Sequence, residues 1–250
     1  MARTSNMIQL SAETLHAFEA YTRKAEDQMQ VTLRARGPFL WCEADLARAE
    51  EVMQGRILAE FWSGNGPIKV PQGLIHDWIG AALVPRCTVD EVLALVQNYD
   101  NHKIIYQPDV LDSALLQRKG NHFNIYLRLL KKKVITVVLD TDHEVEYIRL
   151  RRSRWFCRSH TIRIAEVENA GAPSETILAA DTGHGFLWRL YSYWRFEEKK
   201  KQVYTECRAI SLTRDVPFGL GWIMEPIIQN LPRESLINTL EATRRALQIK

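Results

Sequence analysis

The chain has no long apolar run. No stretch approaches the roughly 20 residues needed to cross a bilayer as a helix, and the opening MARTSNMIQLSAETLHAF lacks the continuous apolar core of a secretory signal. As it stands the sequence reads as cytoplasmic, or as periplasmic or secreted if a native leader has been removed. Cysteine is scarce: Cys42, Cys87, Cys157 and Cys207 are widely spread and form no CxxC pair. That excludes a dense disulfide framework and gives no structural zinc motif. The seven histidines include no HExxH or other close pair, so neither a metal nor a cofactor is expected. A Gly-x-Ser-x-Gly elbow, a P-loop and a dinucleotide fingerprint are all missing. Gly219-Leu220-Gly221 lacks the third glycine and the strand–helix–strand setting. Charge of one sign is also in short supply. Asp and Glu nearly cancel Lys and Arg, leaving a net charge of +3, and no nucleic-acid partner is expected.

The composition is that of an ordinary globular chain, 46% hydrophobic and 25% charged, and informative mainly through its order. Residues 11 to 33 read as a helix, with Ser11 as N-cap and Leu15, Phe18, Tyr21, Ala25 and Met29 near one face. Gly37-Pro38 breaks it, a second helix is expected over Glu43 to Phe61, and SGNGP ends that. The pattern then changes, which places a boundary near residue 70 and divides the chain into a helical extension, 1–70, and a main domain, 71–250. A strand over Leu74 to Val84 leads to Thr88, which with Glu91 makes a capping box for a short helix. From Val110 the period is two. Strands are expected over Leu111 to Arg118, His122 to Leu130, Val134 to Leu139, with Val145 to Leu150 extending or pairing with it, and then over Arg154 to Val167 and Thr176 to Ala180. Phe186 to Glu197 and Gln202 to Thr213 form a hairpin. Two helical segments close the chain. In the last, Leu236, Leu240, Thr243 and Leu247 make one stripe, with Glu234, Asn238, Glu241 and Arg245 opposite.

The fold class expected from this order is α+β, a curved antiparallel sheet wrapped around a long C-terminal helix, with an additional N-terminal helical segment. Two segments carry a resemblance: GLIHDWIGAALVP leading into TVDEVLALVQNYDNHKIIYQPDV, and the closing GLGWIMEPIIQNLPRESLINTLEATRRAL. They resemble the opening strand and helix, and the long terminal helix, of the START-like superfamily with its helix-grip fold, which includes polyketide cyclase/dehydrase-like and lipid-transfer proteins. The resemblance covers residues 70 to 248. It implies a deep, largely apolar cavity between sheet and helix that holds a hydrophobic small molecule or lipid. Relatives of both kinds, carriers and cyclases, share the fold, so the resemblance does not choose between them.

Seven tryptophans, several in strand-like segments, suit such a cavity, although core packing accounts for them as well. The pocket residues expected are Trp78, Phe123, Ile125, Tyr126, Trp155, Trp188, Arg189, Tyr191, Trp194, Trp222, Leu236 and Leu240. In the strand FLWRLYSYWRF, Phe186, Trp188, Leu190, Trp194 and Phe196 should share a face, with Arg189, Tyr191, Tyr193 and Arg195 on the other. The catalytic residues of the enzyme alternative would come from Asp181, His184, Arg189, Tyr193, Arg195 and Glu206. In a third reading the N-terminal helices plug the groove. Basic clusters at 131–133, 149–154 and 199–201 are solvated turns or a transient docking surface for an anionic membrane. No oligomeric state is legible.

Overall fold

The structure, a computed structural model, describes residues 7–34, 37–132, 136–215 and 221–248, the last with side chains from residue 231. Strand β1 (Ile8–Gln9) precedes helix α1 (Ala12–Arg34). Ser11 caps α1 by accepting the Thr14 amide at 3.1 Å, and Phe18, Thr22, Ala25 and Met29 are its buried stripe. A 3-10 turn at Cys42–Ala44 and α2 (Leu46–Met53) follow, with Asp45 accepting the Arg48 amide. The second helix is therefore much shorter than its sequence suggests. Gly55, at φ 87°, ends it in the left-handed conformation that favours glycine, and Leu58–Phe61 becomes strand β2. The edge of a neighbouring strand decides this: β2 and β3 (Ile68–Val70) pair with successive parts of β4 (Gly73–Pro85). Tertiary pairing overrides helix propensity here.

Helix α3 (Val89–Val96) starts with the expected capping box. After a 3-10 turn at Tyr99–Asn101 come α4 (His102–Ile105), β5 (Val110–Lys119), β6 (His122–Lys132), β7 (Thr136–Arg151) and β8 (Arg154–Glu168). Val145 to Leu150 extends the strand before it, and the two are one strand, β7; residues 134 and 135 lie outside the described set. Short β9 (Thr176–Ile177) and β10 (Thr182–Gly183) lead to β11 (Arg189–Lys199) and β12 (Gln202–Arg214). Lys200 and Lys201, both at positive φ, form the tight turn of that hairpin. The closing helix α5 (Gly221–Gln248) is continuous where two segments were expected.

All pairings are antiparallel. The main sheet runs β2-β4-β12-β11-β8-β7-β6-β5, with β3 also on β4 and β9 on β8, while β1 pairs with β10. The fold is thus α+β, a large sheet gripping a C-terminal helix. Helix α5 lies on the inner face and packs on β4, β2 and β12 as well as α3 and α4. Helix α1 lies on the outer face, where Phe18, Ala25 and Met29 meet Ile75, Phe156, Trp188, Ile210 and Leu212. The N-terminal helix therefore covers the back of the sheet and does not plug the groove. A buried ion pair anchors it: Arg208 holds Asp77 through Nε at 2.9 Å and Nη2 at 2.6 Å, and the Tyr21 hydroxyl of α1 donates to the same carboxylate at 2.6 Å.

The grip depends on one glycine. A Cβ at Gly80 would lie 2.9 Å from Leu240 Cδ1, 2.9 Å from the Leu58 carbonyl oxygen and 3.0 Å from Leu236 Cδ2. Gly80→Ala is therefore expected to lower the unfolding free energy by about 1 to 3 kcal/mol in urea titrations. Gly37→Ala, where nothing lies within 4 Å of the new methyl, should change it by less than about 0.5 kcal/mol.

Candidate ligand cavity

Between α5 and the part of the sheet formed by β6, β7, β8, β11 and β12 lies a cavity of about 560 Å³. Its floor follows from strand register and the alternation of side chains. One row crosses the sheet as Tyr147, Cys157, Trp194 and Cys207, continuing to Gly80 under the helix. The next row is Val145, Ser159, Ser192 and Ala209. Ile125, Leu127 and Leu129 of β6 and Val137 and Leu139 of β7 make an aliphatic wall, and Val96, Tyr99, His102 and Tyr106 close one side from the α3–α4 segment. The roof is formed by Ser235, Leu236, Thr239 and Ala242 of α5. The small members of this set leave room beneath the helix. The long ones, Leu236 and Leu240, seat it on β4 beside Trp78.

The polar groups in this space are mostly neutral. The Thr141 hydroxyl donates to the Leu127 carbonyl at 2.9 Å, His143 Nε2 lies 2.9 Å from Thr141 Oγ1, and Ser159 Oγ lies 3.3 Å from His143 Nδ1. Since the Thr141 proton is on the carbonyl, Nε2 must carry the hydrogen and donate to Thr141. Nδ1 then accepts from Ser159. The opposite tautomer would lose the Thr141–Leu127 bond, a net hydrogen bond worth about 1 kcal/mol. Burial lowers the pKa of His143 to about 4, so the ring is neutral near neutrality. His102 is similarly lowered to about 4 by burial, and its Nε2 donates to the Val96 carbonyl at 3.1 Å. The Tyr106 hydroxyl meets Thr243 Oγ1 at 3.1 Å, and burial raises its pKa to about 12. Burial also pushes the Cys157 and Cys207 thiols up, which keeps them protonated and unreactive. Charged residues also line it: Asp109, Lys131, Arg214, Asp215, Glu241 and Arg245. Lys131 Nζ lies 3.5 Å from Asp109, whose other oxygen accepts the Asn238 amide of α5 at 3.1 Å. Burial of the lysine lowers its pKa, against the pull of Asp109.

Of the expected pocket residues, Ile125, Trp194 and Leu236 line the cavity. Phe123 and Trp155 stand just behind its wall, in the core shared with Val96, Tyr99 and Tyr147. Trp78, at 3.7 Å from Phe61 between ring centroids, and Leu240 fill the contact between helix and β4. The pleat carries the others away. Tyr126 points to the outer face and donates to Asp140 at 2.8 Å. Arg189 holds Asp181 at 2.6 Å, and Tyr191 stacks on His160. Trp188 is buried on the outer side against α1, because it precedes β11 and falls outside its alternation, while Phe186 and Leu187 reach the cavity. The side chain of Trp222, like Gly219 and Lys133, lies outside the described residues.

None of the residues weighed for catalysis lines the cavity. The Tyr193 hydroxyl donates to Glu26 of α1 at 2.8 Å, and Arg195 donates to the Phe39 carbonyl and to Thr32. Glu206, 1% exposed, accepts the Trp41 and Cys42 amides at 2.8 Å each; burial raises its pKa and the two amides oppose that. His184 Nδ1 sits 2.8 Å from Glu166, which also takes the amides of His184, Gly185 and Phe186. Among the described residues no group of three His, Cys, Asp or Glu side chains could hold a metal, and no helix is long and apolar enough to cross a membrane. The residues missed by sequence reasoning, above all His143, Ser159, Ser192 and Ala209, had one usable signal. They are small or polar residues at the inward positions of otherwise apolar alternating strands.

Comparison with protein-family models gives no match, and comparison with curated proteins gives none either. Solved structures do show similarity. A STAR-related lipid transfer protein from Xanthomonas axonopodis is 15% identical, with 73% of this chain and 97% of that chain covered and a TM-score of 0.49. The Zhui aromatase/cyclase from a Streptomyces species is 10% identical over 70% of this chain and 94% of that one, with a TM-score of 0.49. A START superfamily protein from Mycobacterium smegmatis is 8% identical over 68% and 97%, with a TM-score of 0.43.

The buried histidines set a pH dependence. His76, His102 and His143 all fall from the ordinary 6.5 to about 4 through burial. Between those values the unfolded chain binds protons that the folded chain does not, so stability falls as pH drops through that window. Each such group contributes at most about 1.4 kcal/mol per pH unit. Replacing His143 with Gln should remove about one proton from the slope measured by urea unfolding between about pH 6 and about pH 5.

Proposed function

We propose that this protein binds a hydrophobic small molecule or lipid in the cavity between the sheet and α5. The observation that carries this reading is the cavity itself, about 560 Å³, walled mainly by aliphatic and aromatic side chains, with neutral polar groups among them and the charged Asp109, Lys131, Arg214, Asp215, Glu241 and Arg245 also on its lining. Small-molecule sites have this character and a volume of roughly 300–1,000 Å³. A core built only for stability would fill such a space, because unfilled volume forfeits packing contacts. Ser235, Thr239 and Ala242 keep the roof of the cavity thin where leucines would close it.

The cyclase or dehydratase alternative needs polar groups that converge on a substrate. Asp181, His184, Arg189, Tyr193, Arg195 and Glu206 are engaged elsewhere, chiefly in fastening the outer face and the β10–β11 loop. The anionic-membrane reading is weakened in a similar way at Lys199, which pairs with Glu43 and Glu197, and at Arg154, which pairs with Glu197.

Mass spectrometry of organic extracts from purified protein should reveal an apolar molecule in amounts comparable to the protein. Ala209→Phe places a ring into the cavity from β12. It is expected to abolish that co-purification and weaken binding of a fluorescent hydrophobe at least about tenfold, with cooperative unfolding retained. Equal binding by both proteins would remove the basis for placing the ligand here.

A further inference from the structure

The direction of the hydrogen bonds around His143 fixes what the cavity floor offers a ligand. Thr141 gives its proton to the Leu127 carbonyl, His143 Nε2 gives its proton to Thr141, and Ser159 gives its proton to His143 Nδ1. Every proton in this chain is committed to another group of the protein. Ser159 is half-buried and lines the cavity, so its oxygen faces that space with its proton already committed. It can only accept. Directly opposite on β11, in register with Ser159, stands Ser192, also half-buried and also lining the cavity. Its hydroxyl rotates to suit and can donate.

Residues opposed in an antiparallel pair have Cβ atoms about 4.5 to 5.5 Å apart. Two hydroxyls at that spacing can share one ligand oxygen, each at the usual O–H···O distance of roughly 2.8 Å. We propose that the ligand carries an alcohol or phenol hydroxyl, held between Ser159 as acceptor and Ser192 as donor. This rests on the ligand-binding reading given above and specifies its chemistry. A hydroxyl is the one common group that donates and accepts at a single oxygen. A ketone or ether oxygen can answer Ser192 and leaves Ser159 without a donor, and an amide N–H does the reverse. The apolar surroundings sharpen the discrimination, since a polar group without its partner in such a place is costly. The Cys157 and Cys207 thiols in the neighbouring row are weak donors and acceptors and do not compete.

The test uses decanol, methyl nonyl ether and methyl octyl ketone, each displacing the fluorescent hydrophobe anilinonaphthalene sulfonate from the whole protein. Decanol should bind the wild type on the order of tenfold more tightly than the ether or the ketone. In Ser159→Ala that advantage should shrink to within about twofold while the affinity of the ether stays the same. Ser192→Ala leaves the His143 chain intact, and should weaken all three while preserving the lead of decanol over the ketone. If the three bind the wild type alike, or if the lead of decanol survives in Ser159→Ala, the hydroxyl clamp is wrong and the cavity reading stands. If none displaces the probe from the wild type, both fail. Should Ser159→Ala not fold, Ser159→Cys, with its weak acceptor, replaces it and the same outcomes decide.

Discussion

The close approach of α5 to β4 at Gly80 is the constraint on which the rest of the structure depends. Leu236 and Leu240 press onto bare backbone there, closer than any side chain would allow. Seated so low at the β4 side, the helix cannot also lie flat on the distant strands of a curved sheet. The angle between them is filled from one side by α3 and α4 and is otherwise left open. Cavity and grip are therefore one feature, and the residues under the helix divide accordingly. Leucines serve where it touches, while serine, threonine and alanine lie where it stands clear.

A second consequence is the division of labour between the two faces of the sheet. Much of the charged chemistry is on the outer side, where Glu206 and Asp77 act as fasteners, while Glu166 does the same work on the face that carries Leu139. Glu206 ties down the chain at Trp41 and Cys42, Asp77 joins Arg208 to Tyr21, and Glu166 gathers the loop at 184 to 186. Such a carboxylate is stable only with its donors in place, and stripping one partner from a buried pair typically costs about 3 to 5 kcal/mol. The rows that floor the cavity have a more neutral character of imidazole, hydroxyls, thiols and hydrocarbon, with charged residues such as Lys131 and Asp109 elsewhere on its lining.

Much of the fold was legible because its signals are local. The Thr88 capping box, the period-two strands, the hairpin around Lys200 and the leucine stripe of α5 each rest on contacts within a few residues. The short α2 and strand β2 were not legible, since residues 58 to 61 become a strand only because β4 offers an edge. The cavity was harder still. Aromatic residues are conspicuous in sequence and suggest its walls, yet Tyr126 and Tyr191 fall on the other side of the pleat. Trp188 is displaced by one residue of irregular chain. The residues that make the space are inconspicuous, because a void is marked by what is small. Arg189, Tyr193 and Arg195 in FLWRLYSYWRF resemble chemistry, yet Tyr193 and Arg195 bind Glu26 and Thr32 of α1, 167 and 163 residues away, and Arg189 ties down Asp181 nearby.

The internal volume also has a mechanical side. Applied pressure favours whichever state occupies less total volume, and unfolding removes voids that the native packing maintains. A molecule that encloses about 560 Å³ between helix and sheet holds such a volume, and pressure favours its loss. A molecule that filled the space would oppose that loss of volume, so occupancy would alter how hard the protein is to compress as well as how hard it is to melt.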